Sequence, residues 1–221
     1  MSAEQPEPEH TIERLIFFSD AVFAIAITLL IIEIHVPELE RGAGALDYVQ
    51  ALAYLIPNFV GFLISFFVIG AFWAGHHRAF ACAVRWSDRL VFPNLLILCA
   101  IAAMPFFTAF VSANPNARVP VAVYCGWLLV TGFLNMNLQR VVLAPPVVSP
   151  VLSPGRAETI RRRGLAVVLG AATAVLVAIV SPIPALAEAA LVTIPLWRKL
   201  LDRRAARAAA AQRVGTGASP E

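Results

Sequence analysis

Apolar residues run along this chain in long stretches, separated by short polar clusters, instead of alternating with polar positions. Six such stretches approach the ~20 residues that a helix needs to cross a bilayer. They fall at 12–34, 48–73, 90–111, 119–138, 165–180 and 183–197. The last two are shorter and are joined by "SPIP", a Pro-rich turn. The pattern predicts an all-α membrane protein with six transmembrane helices. It divides the chain into an N-terminal tail (1–11), a six-helix membrane domain (12–199) and an Ala/Arg-rich basic tail (200–221). That tail is expected to continue the last helix along the membrane surface. Pro57, Pro93 and Pro105 sit in or at the start of stretches and predict bends, which membrane helices tolerate where neighbours satisfy the freed carbonyls. There is no convincing internal repeat, which weighs against an inverted-repeat transporter within one chain.

Composition agrees with a membrane protein. Hydrophobic residues make up 59% of the 221 positions and charged residues only 14%, against about 25% charge in a typical soluble domain. Cys82, Cys99 and Cys125 are odd in number and lack CxxC spacing, so they are expected to be small hydrophobes. The N-terminus, "MSAEQPEPEH", is acidic and Pro-rich, so no cleavable signal peptide is expected.

The distribution of charge matters more than the net value of +3. If both termini lie in the cytoplasm, 15 of the 17 Lys and Arg residues fall on the inside, leaving only Arg41 and Arg118 outside. The positive-inside rule therefore predicts an N-in, C-in topology.

This topology brings polar residues to one depth. Arg14, Ser19 and Asp20 lie at the cytoplasmic end of the first stretch. "WAGHHR", with Trp73, His76 and His77, ends the second. Asn94 begins the third, and Asn135 and Asn137 end the fourth. Polar groups facing lipid there would be costly, so mutual satisfaction is expected. Two readings of Ser19 and Asp20 stand: partners for neighbouring helices, or caps of the helix N-terminus, where negative charge suits the dipole. His76 and His77 lack the HxxxH spacing and third ligand of a metal site. Glu188 reads as a helix-start acid or, less economically, as a proton-relay group. No nucleophile–base pair or metal-ligand set is evident, so neither enzyme activity nor a cofactor is expected, and nothing points to a nucleic-acid partner.

"RLIFFSD" fits the signature R-x-x-x-F-S-D at Arg14, Phe18, Ser19 and Asp20, followed by "AVFAIAITLLIIEI" and, in the second stretch, "FWAGHHR". In these motifs the chain resembles bacterial members of the transmembrane protein 175 family of lysosomal and endosomal potassium channels. The resemblance is specific over 14–36 and 72–80 and elsewhere covers mainly the six-span layout. It implies a homotetramer in the bacterial plasma membrane, with potassium as the permeant ion. The first helix of each subunit would line the pore, without a carbonyl filter. It also implies that Ile25 forms the narrow hydrophobic ring, followed by Thr28, Leu29 and Ile32. Arg14, Phe18, Ser19, Asp20, Trp73, His76 and His77 would form a network holding the helix.

Helical geometry is compatible with that assignment. At about 100° per residue, Ile25, Thr28, Leu29 and Ile32 share a stripe away from Ser19 and Asp20. The whole segment is apolar, however, so periodicity alone does not separate a pore face from a lipid face. Glu33, Glu38, Glu40 and Asp47 follow the first stretch against one arginine, and four copies would make an acidic mouth that concentrates monovalent cations. The competing reading is a proton pathway or proton-coupled transporter using Asp20, His76 and His77, or Glu188.

Overall fold

The computed structural model describes residues 8–216, and within them the chain is helical apart from its connections. Nine α-helices follow in order: α1 (Pro8–Ile32), α2 (Ala45–Tyr54), α3 (Ile56–Phe80), α4 (Val91–Ala102), α5 (Met104–Ala113), α6 (Arg118–Val142), α7 (Pro154–Val180), α8 (Leu186–Ala189) and α9 (Ile194–Thr216). Most of the expected N-terminal tail and the last residues of the basic tail lie outside the described residues.

Five helical segments are long and apolar enough to cross a membrane: Thr11–Ile32, Ile56–Phe80, Asp88–Ala113, Arg118–Val142 and Pro154–Val180. The all-helical membrane architecture thus stands, and several boundaries change. The stretch expected at 48–73 is two helices. α2 is amphipathic, has no buried residue and ends at Tyr54, and α3 starts afresh with Pro57 in its first turn. Proline has no N–H to continue the α2 ladder but suits a helix start. The third crossing breaks at Ala103, because Pro105 opens α5. Trp127 Nε1 donates to Ala100 O at 2.9 Å beside this break, and the indole stacks on Phe107. Pro93 sits in the first turn of α4 and makes no break.

The fifth crossing is longer than the expected 165–180. Ser153 caps it by accepting from the Arg156 N–H, and Pro154 occupies its first turn.

The stretch at 183–197 is not one uninterrupted apolar helix. It passes through α8 and a 3-10 turn (Ala190–Thr193) before α9 begins. It nonetheless returns antiparallel to α7: Trp197 Nε1 donates to Thr173 Oγ1 at 3.2 Å, and Arg162 Nε lies 3.6 Å from Asp202 Oδ1.

α6 and α7 pack along their lengths, while α1 packs on α3, α4 and α5. Ser65 and Tyr124 hydroxyls lie 2.9 Å apart, and Thr108 Oγ1 lies 2.7 Å from Ser65 Oγ, so a buried hydroxyl cluster ties α3, α5 and α6 together. Gly61 permits this closeness, because a Cβ there would collide with Ser112 Oγ. Arg118 Nη2 donates to Ser181 O at 3.1 Å and joins α6 to the end of α7. At the opposite end, the segment after α3 pairs with the one after α6 through Val84 N–H to Val147 O and Ser149 N–H to Cys82 O, both 2.9 Å.

Candidate functional site: one helix held on one face and bare on the other

Helix α1 buries a single stripe. Ser19, Phe23, Ala26 and Leu30 are all at most 1% exposed and recur at i, i+4, i+7 and i+11, the spacing of one helical face. The apolar members pack into the bundle core, and Ser19 supplies the polar contact.

Ser19 joins a fully buried polar chain across three helices. Its hydroxyl lies 2.8 Å from Leu15 O, one turn back. Asn94 of α4 donates from Nδ2 to Ser19 Oγ at 2.9 Å, and its Oδ1 accepts from His76 Nε2 of α3 at 2.8 Å. Asn94 is thus the hub. With Nε2 donating, His76 carries its lone pair on Nδ1, which is buried and has no partner among the described residues. Phe23 meets the imidazole edge-on at 5.5 Å, and Phe80 lies 4.5 Å away. A buried Asn–His–Ser set of this kind is costly to leave half satisfied, so it specifies how α1, α3 and α4 meet.

Asp20, the next residue, accepts from Trp73 Nε1 at 2.8 Å, a second tie from α1 to α3. The capping reading of Ser19 and Asp20 is overturned: α1 begins at Pro8, so both residues lie inside the helix. Trp73 also faces His77, with ring centroids 5.8 Å apart.

The structure divides the signature residues into two groups. Ser19 and His76 meet through Asn94, and Asp20 and Trp73 meet in a separate hydrogen bond. His77 reaches them only through its ring contact with Trp73 and is itself exposed. Arg14 is exposed and Phe18 is 52% exposed, so both stand outside this intrasubunit cluster. They lie instead on the same side of α1 as Ile25 and Ile32, since Arg14 to Ile32 is five turns. Asn94 was legible only as one amide at a shared depth. Asn135 is buried with Oδ1 unpartnered, and Asn137 is exposed, so neither joins the chain of bonds.

The opposite face of α1 is bare. Ile25 is 57% and Ile32 67% exposed, with Leu29 and Thr28 also exposed. Thr28 Oγ1 donates to Ile25 O at 2.9 Å. That bond uses the only hydroxyl hydrogen and leaves the oxygen lone pairs for an outside partner.

Beyond α1, Glu38 and Glu40 are exposed and Glu33 is half-buried. Asp47 is committed elsewhere, accepting from the Gly44 N–H at 2.8 Å to cap α2. Glu188 lies in the first turn of α8. Among the described residues, no group of three His, Cys, Asp or Glu could hold a metal ion.

A family model described as endosomal/lysosomal potassium channel TMEM175 matches residues 14–105, which include all of this site. A protein named a potassium channel, from Chamaesiphon minutus, is 40% identical over 140 residues, covering 62% of this chain and 68% of that protein. Another so named, from Streptomyces collinus, is 42% identical over 115 residues, covering 50% of this chain and 54% of that protein. The zebrafish (Danio rerio) endosomal/lysosomal proton channel TMEM175 is 26% identical over 122 residues, covering 55% of this chain and 23% of its own length. The crystal structure of a lysosomal potassium-selective channel TMEM175 homolog from Chamaesiphon minutus superposes with a TM-score of 0.73 at 27% identity, covering 86% of this chain and 97% of that one. With the signature residues, the helical layout and these relatives in agreement, the chain belongs to the TMEM175 family.

Proposed function

We propose that this protein is a potassium-preferring cation channel of the bacterial plasma membrane, assembled as a homotetramer around four copies of α1. The observation that carries this reading is the two-sidedness of α1. One stripe is locked into its own subunit by Ser19, Phe23, Ala26 and Leu30, and the opposite stripe is left uncovered. In this reading six segments cross the membrane, N-in and C-in, with the broken 186–202 segment as the last. Its antiparallel return beside α7 supports that count.

Four Ile25 side chains around an axis form a narrow apolar neck. An ion there loses water without gaining ligands, so the neck gates by dewetting. Four Thr28 oxygens, each with its hydrogen turned back into the helix, replace part of a hydration shell just beyond it. Potassium sheds water more readily than sodium, so this arrangement gives a preference without a carbonyl filter. Leu29 and Ile32 continue the lining, and Glu33, Glu38 and Glu40 make the outer vestibule negative.

The test is potassium flux from liposomes containing purified protein, with the mass of the assembly measured in nanodiscs. Potassium-driven flux from a tetramer supports the reading. A conducting monomer or dimer removes the four-fold pore.

A second reading is a proton pathway through Asp20, His76 and His77, favoured by the name "proton channel" carried by the vertebrate relatives. Flux driven by a proton gradient and abolished by His77→Ala, with no potassium current, would select it.

A further inference from the structure

A cleft of about 120 Å³ opens between α3, α6, α7 and the start of α9, away from the α1 site. Its two ends differ in chemistry. Leu128, Ala171, Leu191 and Ile194 line an apolar portion. At the other end stand the guanidinium groups of Arg78 and Arg163, with no carboxylate among the lining residues. Two cations facing one cleft repel unless an anion lies between them. Two buried amides also line it: Asn135 and Gln139, each 4% exposed, with Asn135 Oδ1 and Gln139 Oε1 lacking any hydrogen-bond partner among the described residues. Buried unpartnered acceptors are costly, and they call for a donor.

We infer that this cleft binds an anionic phospholipid with a hydroxylated headgroup, such as phosphatidylglycerol. The phosphate sits between Arg78 and Arg163, the headgroup hydroxyls donate to Asn135 and Gln139, and the first carbons of one acyl chain pass over the apolar portion on their way to the bilayer. Each part of the lipid answers a separate feature: an anion for the paired guanidinium groups, O–H donors for the orphaned acceptors, and a hydrocarbon chain for the apolar wall. Basic clefts between membrane helices bind anionic headgroups on these terms. Gly164 keeps the polar end open, because a Cβ there would press on Gln139 Oε1 at 2.6 Å.

The experiment is native mass spectrometry of the full-length protein released from nanodiscs of equal phosphatidylglycerol and phosphatidylcholine. Wild type is expected to retain phosphatidylglycerol selectively. Arg78→Gln/Arg163→Gln should lower that retention about 30-fold, roughly five-fold for each arginine. Arg156→Gln/Arg161→Gln, which removes the same charge outside the cleft, should leave it nearly unchanged. Ala171→Phe keeps both arginines but fills the apolar portion, and should also lower retention. Circular dichroism and gel filtration establish that each variant is folded, and Arg163→Gln alone serves if the double variant is not. Equal retention of the two lipids would overturn the proposal, as would unchanged retention in the arginine variants. Displacement by inorganic phosphate would reduce the site to an anion site, and absence of any retained lipid would overturn the proposal.

Discussion

Trp73 Nε1 donates to Asp20 Oδ1 across 2.8 Å, and this bond joins α1 to α3 one residue away from the buried Ser19 contact. The carboxylate therefore belongs to the scaffold that holds α1, not to the bare stripe carrying Ile25. Removing either partner should weaken the subunit without changing ion preference. Asp20→Ala and Trp73→Phe are each expected to destabilise by about 1 kcal/mol, with the double variant costing less than the sum because they lose one shared bond. Thermal unfolding of the four proteins in one detergent measures this coupling. Reversal potentials should stay as in wild type.

Asn94 should be more sensitive. Among the described residues it links Ser19 to His76: its removal leaves the His76 Nε2–H without an acceptor and takes the donor from Ser19 Oγ, which keeps its bond to Leu15 O. Asn94→Leu is expected to cost about 1–3 kcal/mol, chiefly from the buried His76 N–H left without an acceptor. Asn137→Leu, at an exposed position of α6, should change stability by less than about 0.5 kcal/mol. Equal effects at the two positions would contradict the hub role.

The hydroxyl cluster of Ser65, Thr108 and Tyr124 provides a test away from α1. Tyr124→Phe keeps the ring, which is 1% exposed, and deletes the bond to Ser65. The expected loss is about 1 kcal/mol, since hydrogen bonds between membrane helices contribute modestly. Conduction should be unchanged at matched protein amounts.

Thr28→Ala should separate preference from throughput. In the proposed tetramer the substitution deletes four oxygens from the axis and leaves the Ile25 neck in place. Potassium flux should continue while the potassium-to-sodium permeability ratio, read from bi-ionic reversal potentials, falls toward one. An unchanged ratio would show that the Thr28 oxygens do not contact the permeating ion.

Much of the site was legible in the sequence because its parts are type-specific. An acid and an indole at one depth of an apolar helical protein have few economical arrangements other than meeting, and Asp20 and Trp73 do meet, while Ser19 reaches His76 by way of Asn94. Asn94 resisted ranking because a lone amide in "VFPNLLILCA" has no spacing partner, and only three-dimensional packing makes it the hub. Arg14 shows the reverse: it lies in the same signature string as Ser19, yet the helical turn carries it to the exposed side. Pro57 and Pro105 were legible as bends, but hydropathy did not show that each starts a new helix, because proline interrupts the backbone ladder without interrupting the apolar run. The segment from 183 to 197 is apolar enough to read as one span, but it passes through a 3-10 turn before the basic helix α9. Which side of α1 faces a partner was not legible from an apolar string, since the distinction depends on which stripe the rest of the subunit covers.

The most direct measurement is potassium flux from liposomes reconstituted with Ile25→Asn beside wild type, at matched amounts of protein. An amide at the neck lowers the cost of hydrating a narrow apolar ring, so flux should rise, with the potassium-to-sodium ratio falling far less than in Thr28→Ala. If Ile25→Asn folds and assembles but conducts as wild type does, the Ile25 stripe faces lipid or packing and the pore lies on another surface.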